Sequence, residues 1–238
     1  MIINRFSRAI IEQNWLTVVL EILVVVIGIF LGLQVADWNE NRKHQQQELV
    51  YLAKLSDDLS AMQADLLLEI ERRTERVERM KSALYALEAC DDSPEAQADV
   101  KFTLERYQVS NGINFLDATY NEMVASGALA RIANQELKQS ITYAYSALGH
   151  VNSSVFSFRV SLPVVDSIVW KSVSYSVDKD GSLTATFDIG EICKNIELRN
   201  AFAEMVDIQR DGLGVEIDVL PMVDELIMQL TKEISNPF

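Results

Sequence analysis

The chain has 238 residues, with 35 acidic against 21 basic side chains and a net charge of −14. That balance repels phosphate backbones and argues against nucleic acid as a partner. Two cysteines and two histidines, without a Cys-x-x-Cys pair, argue against a structural zinc site.

Residues 1–14 read as an amphipathic lead-in on the membrane surface, or alternatively as a frayed terminus. Ile2, Ile3, Phe6, Ile10 and Ile11 recur at helical spacing, with Arg5 and Arg8 elsewhere. Leu16 to Ala36 follows as a 21-residue apolar run carrying one charge, Glu21. At about 1.5 Å per residue a helix of that length spans roughly 30 Å, the thickness of a bilayer core. Trp15 and Trp38 bracket the run as interfacial anchors, so 15–38 reads as one transmembrane helix. The run is about twice the length of a signal-peptide core and has a poor cleavage site, so an uncleaved anchor is expected. Arg5 and Arg8 precede it, with Glu12; Arg42 and Lys43 follow it. The positive-inside rule leans toward a cytoplasmic N-terminus and a body outside the inner membrane.

Within the span, Gly28, Gly32 and Ala36 fall four apart on one stripe. Small residues there let two helix backbones approach closely, which favours self-association. Glu21, seven residues before Gly28, lies near the same stripe. It reads either as a carboxyl snorkelling to the nearby boundary or as a proton or assembly site.

Residues 39–90 contain no Gly or Pro and predict a long helical stalk. Leu52, Leu55, Leu59, Met62, Leu66, Ile70, Val77, Met80, Leu84 and Leu87 step by three and four, a coiled-coil seam with one stutter and with Arg73 intruding. The seam's partner is either a second chain or a later helix of this one. The charge-dense segment Glu69 to Arg79 reads as an exposed helix surface.

Residues 91–238 read as a helical distal domain, with 22 acidic and 11 basic side chains. Ser93-Pro94 starts a helix to about Tyr107. Asn111-Gly112 marks a turn. Asp117 caps a short helix through Val124, which Gly127 closes. Asn134 caps a longer helix with an apolar stripe of Ile141, Tyr145, Leu148, Val151 and Val155. Pro163 bends or ends it, and 164–172 continues as helix. Alternation on both sides of Asp178-Lys179-Asp180-Gly181 predicts a β-hairpin. Its Asp-x-Asp-Gly lacks the other ligand positions of a calcium loop. Two helices are expected to close the chain, 195–209 and 219–234, separated near Gly212 and Gly214. Phe115, Tyr120, Tyr143, Tyr145, Phe156 and Phe158 read as core packing, or alternatively as the lining of a ligand groove. Cys90 and Cys193 read as small buried residues, or as a disulfide if the domain lies outside the cytoplasm.

No nucleophile elbow, phosphate-binding loop, dinucleotide fingerprint or metalloprotease motif occurs. No catalytic residue, metal or cofactor is therefore expected. Leu20-Glu21-Ile22, Gly28 to Gln34 and Trp38-Asn39-Glu40-Asn41-Arg42 resemble a widespread bacterial family of small membrane proteins whose span ends in a Gln…Trp-Asn-Glu-x-Arg signature. Thr119 to Leu129, followed by Ile132 to Leu137, is similar to that family's Tyr-x-x-Leu-x-x-Ser-Gly segment, with Met123 where Leu is usual. The resemblance implies a single-pass helical membrane protein and brings no activity. Read for itself, the segment is a helix stop and restart; alternatively Tyr120, Glu122 and Ser126 line a binding surface.

The expectation is a mainly α protein: transmembrane helix, long coiled-coil-like helix, helical distal domain and small hairpin. Its partners would be the lipid bilayer, a second copy through the span and stalk, and other membrane proteins. The functional expectation is a non-enzymatic, oligomeric scaffold or sensor. A subunit of a proton- or ion-handling complex using Glu21 stands second.

Overall fold

The computed structural model describes residues 15–110 and 113–236, with side chains described except at Thr17 and 154–161. The expectations for residues 1–14, for Asn111-Gly112, and for the side chains of Val155, Phe156 and Phe158 lie outside the described residues. The mainly α expectation holds. Helix α1 is Trp15–Ala89. It is followed by α2 (Pro94–Arg106), α3 (Ala118–Ala125), α4 (Ala128–Arg131), α5 (Gln135–Ser161) and α6 (Pro163–Ser172). Strands β1 (Ser174–Val177) and β2 (Leu183–Thr186) then pair antiparallel, and α7 (Ile189–Ile192) and α8 (Ile196–Ser235) close the chain.

The chain divides into two compact units, Met1–Val50 and Tyr51–Phe238. In the first, the described residues are helix alone. Its apolar side chains stay uncovered: Leu20 is 57% exposed and Phe30 61%.

In the second unit the α1 seam is filled by its own chain. Leu52, Leu55, Leu59, Met62 and Leu66 are fully buried, in one core with Ile141 and Leu148 of α5 and Val223 and Leu226 of α8. Met80, Ala83 and Leu87 enter a second core with Val100 and Leu104 of α2, Val165 and Val169 of α6, and Phe202 of α8. The later-helix alternative for the seam's partner is therefore the one realised. The compact body begins at Tyr51, within what reads from sequence as a free stalk.

Ser93 and Asn134 cap their helices as expected, whereas Asp117, before α3, makes no side-chain capping hydrogen bond. Ser93 Oγ accepts from Ala96 N–H, Asn134 Oδ1 from Leu137 N–H and Asn195 Oδ1 from Leu198 N–H. Gly127, at φ +71°, takes the left-handed turn between α3 and α4. In the hairpin, Ser174 faces Thr186 and Val177 faces Leu183. The hairpin docks on α2, where Ala185 N–H donates to Glu105 and Tyr175 OH donates to the Leu104 carbonyl.

Some of these expectations fail. Tyr143, expected in the core packing, is 69% exposed. The two closing helices are a single 40-residue helix, α8, running through Gly212, Gly214 and Pro221. An interior proline costs about 3 kcal/mol. Burying Val219, Val223, Leu226 and Leu230, at about 1.5–3 kcal/mol each, outweighs it.

Candidate functional site

The two apolar cores are separated by charge. On α1 the run of fully buried apolar residues stops at Leu66 and buried apolar residues resume at Val77; on α8 they stop at Met205 and resume at Val219. Glu69, Arg73 and Arg76 from α1 and Gln209 and Glu216 from α8 fill the gap, and all are buried. The segment expected to be an exposed charged surface is thus split. Glu71, Glu75 and Glu78 face solvent, while Glu69, Arg73 and Arg76 turn inward.

Arg73 is the hub. Its Nε donates to Glu216 Oε2 at 2.9 Å and its Nη2 lies 2.8 Å from Oε1, a two-pronged grip. Nη1 donates to Gln209 Oε1 at 3.2 Å and Nη2 to Ser110 Oγ at 3.4 Å. Gln209 Nε2 in turn donates to the Val109 carbonyl. Glu69 sits 3.7 Å from Arg73 and accepts from Arg76 Nη2 at 2.9 Å. Two guanidinium groups thus balance two carboxylates. Burial pushes the Glu216 carboxyl above its ordinary range despite the opposing charge of Arg73. Burial, against the pull of Glu69 and with help from Arg73, lowers the Arg76 guanidinium.

At an effective dielectric of about 20, a pair this close attracts by about 6 kcal/mol, while stripping water costs several kcal/mol per ion. The two nearly cancel, so the main consequence is register. Sliding α8 by one turn along α1 would set an ion against Leu66 or Val77. Gly212 belongs to the same arrangement. A Cβ there would lie 2.5 Å from Arg73 Nη1, so the bare backbone makes room for the guanidinium.

The expected site residues do not converge. Glu21, Gly28, Gly32, Ala36, Trp15 and Trp38 lie on the exposed helix of the first unit, and a Cβ at Gly28 or Gly32 meets nothing within 4 Å. Tyr120, Glu122 and Ser126 lie on the second unit and are engaged within it. Tyr120 stacks on Tyr145 with centroids 4.4 Å apart, Glu122 accepts from Tyr51 OH at 2.9 Å, and Ser126 Oγ accepts weakly from Ala128 N–H. Beside them an apolar recess of about 650 Å³ is lined by Leu129, Thr142 and Tyr143, among others.

Three phenols are held above their ordinary range. Burial does so first at each, reinforced at Tyr107 by its hydrogen bond to Asp166, at Tyr145 by the charges of Asp58 and Asp117, and at Tyr175 by Glu105. An unfolded tyrosine ionises near pH 10. Above that the unfolded chain releases protons that the folded chain retains, so stability falls with rising pH. Ultraviolet titration should show Tyr107, Tyr145 and Tyr175 ionising late and together with unfolding. Three phenolates appearing reversibly before any loss of helix would contradict this.

Cys90 and Cys193 form a disulfide with Cα atoms 5.4 Å apart, tying the end of α1 to the segment after α7. Of the two readings of these cysteines, the structure realises the bonded one.

A family model described as a family of unknown function (DUF6090) matches residues 21–151, more than half of the chain. The chain belongs to this family. The matched stretch holds Glu69, Arg73 and Arg76 but ends inside α5, so Gln209, Glu216 and Cys193 lie beyond it. No curated protein and no solved structure matches the chain.

Sequence reasoning passed over the buried charge layer. Its signal was Arg73 standing on an otherwise apolar seam. Read together with a glycine inside the last helix, that arginine points to a buried cation needing a partner.

Proposed function

We propose that this protein is a membrane-anchored, non-enzymatic scaffold or sensor, held in a bacterial inner membrane by the first part of α1. The observation that carries the anchor is the uncovered apolar helix. Its most apolar 18-residue window has a mean hydropathy of 2.7, and none of it is buried inside the protein. Lipid is the environment that satisfies such a surface. The orientation proposed puts the N-terminus in the cytoplasm and the compact unit outside, where disulfides persist. The Cys90–Cys193 bond supports this side. Self-association runs through the Gly28, Gly32 and Ala36 stripe, since the seam of Leu52 to Leu66 is filled from within.

The test is fractionation plus labelling. The chain should stay with carbonate-washed membranes. A cysteine placed at exposed Asp57 should react with a membrane-impermeant maleimide in intact spheroplasts whose periplasmic face is outward. Release by carbonate would overturn the anchor, and labelling only after lysis would reverse the orientation. Gly32→Leu should abolish crosslinked dimers within the membrane.

A second reading is a subunit of an ion-handling complex. It is favoured by Glu21 lying among Leu16, Leu20, Val24 and Val25, a carboxyl in apolar surroundings. Glu21→Gln separates the two. A scaffold tolerates the amide, and a proton carrier does not.

A further inference from the structure

A protein with a net charge of −14 has a recess lined mainly by cations. Arg72, Arg76 and Arg79 stand at i, i+4 and i+7 on α1, and Lys101 and Arg106 face them from α2, with Phe102 between. The recess measures about 650 Å³, the size of a small-ligand site.

The partners of these groups leave charge over. Arg79 donates to Asp99 at 2.9 Å and lies 3.8 Å from the centroid of Phe102, which fixes the plane of its guanidinium. Lys101 lies 3.8 Å from Glu105, and that carboxylate also accepts from Ala185 N–H. Arg76 is 6% exposed; its Nη2 is held by Glu69, and its buried Nε has no hydrogen-bond partner. Among the described residues Arg72 and Arg106 have no carboxylate partner. Five cations therefore meet three carboxylates, an excess of two positive charges. Nothing in the folding of the α1–α2 pair requires Arg72 or Arg106, both exposed on the rim.

We propose that this recess binds a phosphate group carried by a small soluble molecule or by a lipid headgroup. A phosphomonoester carries nearly two negative charges at neutral pH, which matches the excess. Guanidinium forks fit its oxygens in paired hydrogen bonds. Arg76 gives the site a route inward, because Glu69 links it to Arg73 and so to Glu216 on α8. The inference does not depend on the anchor and stands if the chain proves soluble.

The experiment uses the full chain in discs of neutral lipid. Thermal stability is followed against inorganic phosphate and, separately, against dihexanoyl phosphatidic acid, with sodium chloride at matched ionic strength as the reference. A saturable rise in Tm is expected with phosphate, because a ligand bound only by the folded state stabilises it. The double variant Arg72→Gln/Arg106→Gln should fold normally, as surface substitutions do, and need about tenfold or more ligand for half the effect. Lys179→Gln/Lys194→Gln removes the same charge away from the recess and should bind like the parent. A response to inorganic phosphate supports a soluble ligand. A response to the phosphatidic acid alone supports a lipid headgroup. No response beyond chloride to either compound, or equal weakening in both double variants, overturns the proposal.

Discussion

Replacing Arg73 with methionine should cost about 3–5 kcal/mol of folding stability, the usual loss when one member of a buried ion pair is removed. The cause is what stays behind. Glu216 keeps its buried carboxylate without the two-pronged partner, and Gln209 Oε1 and Ser110 Oγ lose a donor. Glu69 suffers least, because Arg76 still holds it. Urea unfolding of the purified chain in detergent, followed by helical circular dichroism, gives the number. Arg73→Lys should recover only part of the loss, since an ammonium cannot grip both carboxylate oxygens in one plane. The double variant Arg73→Met/Glu216→Leu should be more stable than Arg73→Met alone, because it removes the stranded charge; the coupling between the two sites should exceed about 1 kcal/mol. A cost below about 1 kcal/mol for Arg73→Met would mean that water reaches the layer.

The two glycines of α8 sharpen this. Glycine to alanine inside a helix normally stabilises by about 0.5–1 kcal/mol. Gly214→Ala should do so, because a Cβ there meets nothing within 4 Å. Gly212→Ala should reverse the sign, because its Cβ would lie 2.5 Å from Arg73 Nη1 and 3.2 Å from Cζ. Displacing the hub of a buried network costs about 1–3 kcal/mol, the range for overpacking.

This pair of glycines also shows where sequence reading stops. Local chemistry was legible: the capping side chains of Ser93 and Asn134, the turn glycine at Gly127, and the alternation around Asp178 to Gly181 each mark their element within a few residues. These features depend on neighbours in the chain. Gly212 does not. It reads as a helix breaker because glycine usually is one, yet its role is set by an arginine 139 positions earlier. The seam on α1 was legible as apolar, whereas its partner was not, because a stripe of Leu52 to Leu66 fits a second copy of itself as well as it fits α5 and α8. For the same reason the recess of Arg72, Arg79 and Arg106 was hidden. Its cations come from two helices, and only the turn that brings α2 back along α1 places them together.

Removing the disulfide is the second large expected effect. Cys90 and Cys193 are 103 residues apart. In the chain-entropy account, closing a loop of that size restrains the unfolded state by about 4.7 kcal/mol, and measured losses run about 2–5 kcal/mol. Cys90→Ala/Cys193→Ala should therefore lower the urea midpoint as strongly as Arg73→Met. Reduction of the parent chain should reproduce the shift, with no further change when the variant is treated with reductant. Cys90 adds a second readout. It sits at φ +50°, just past the end of α1, where Asp91 N–H bonds back to the Ala86 carbonyl. A left-handed residue with a Cβ costs roughly 1–2 kcal/mol, and glycine is the usual occupant of this helix-ending position. Cys90→Gly/Cys193→Ala should accordingly be about 1 kcal/mol more stable than the double alanine variant. If the two variants are equal, the turn relaxes when the bond is lost and the bond itself holds the backbone there. If the ordering is as expected, the left-handed turn belongs to the helix end, and the cysteine is kept in an unfavourable conformation for the sake of the link. Such links persist in oxidising compartments and are rare in reducing ones. The size of the reductant-sensitive shift therefore measures how much stability a body folded under reducing conditions would have to do without.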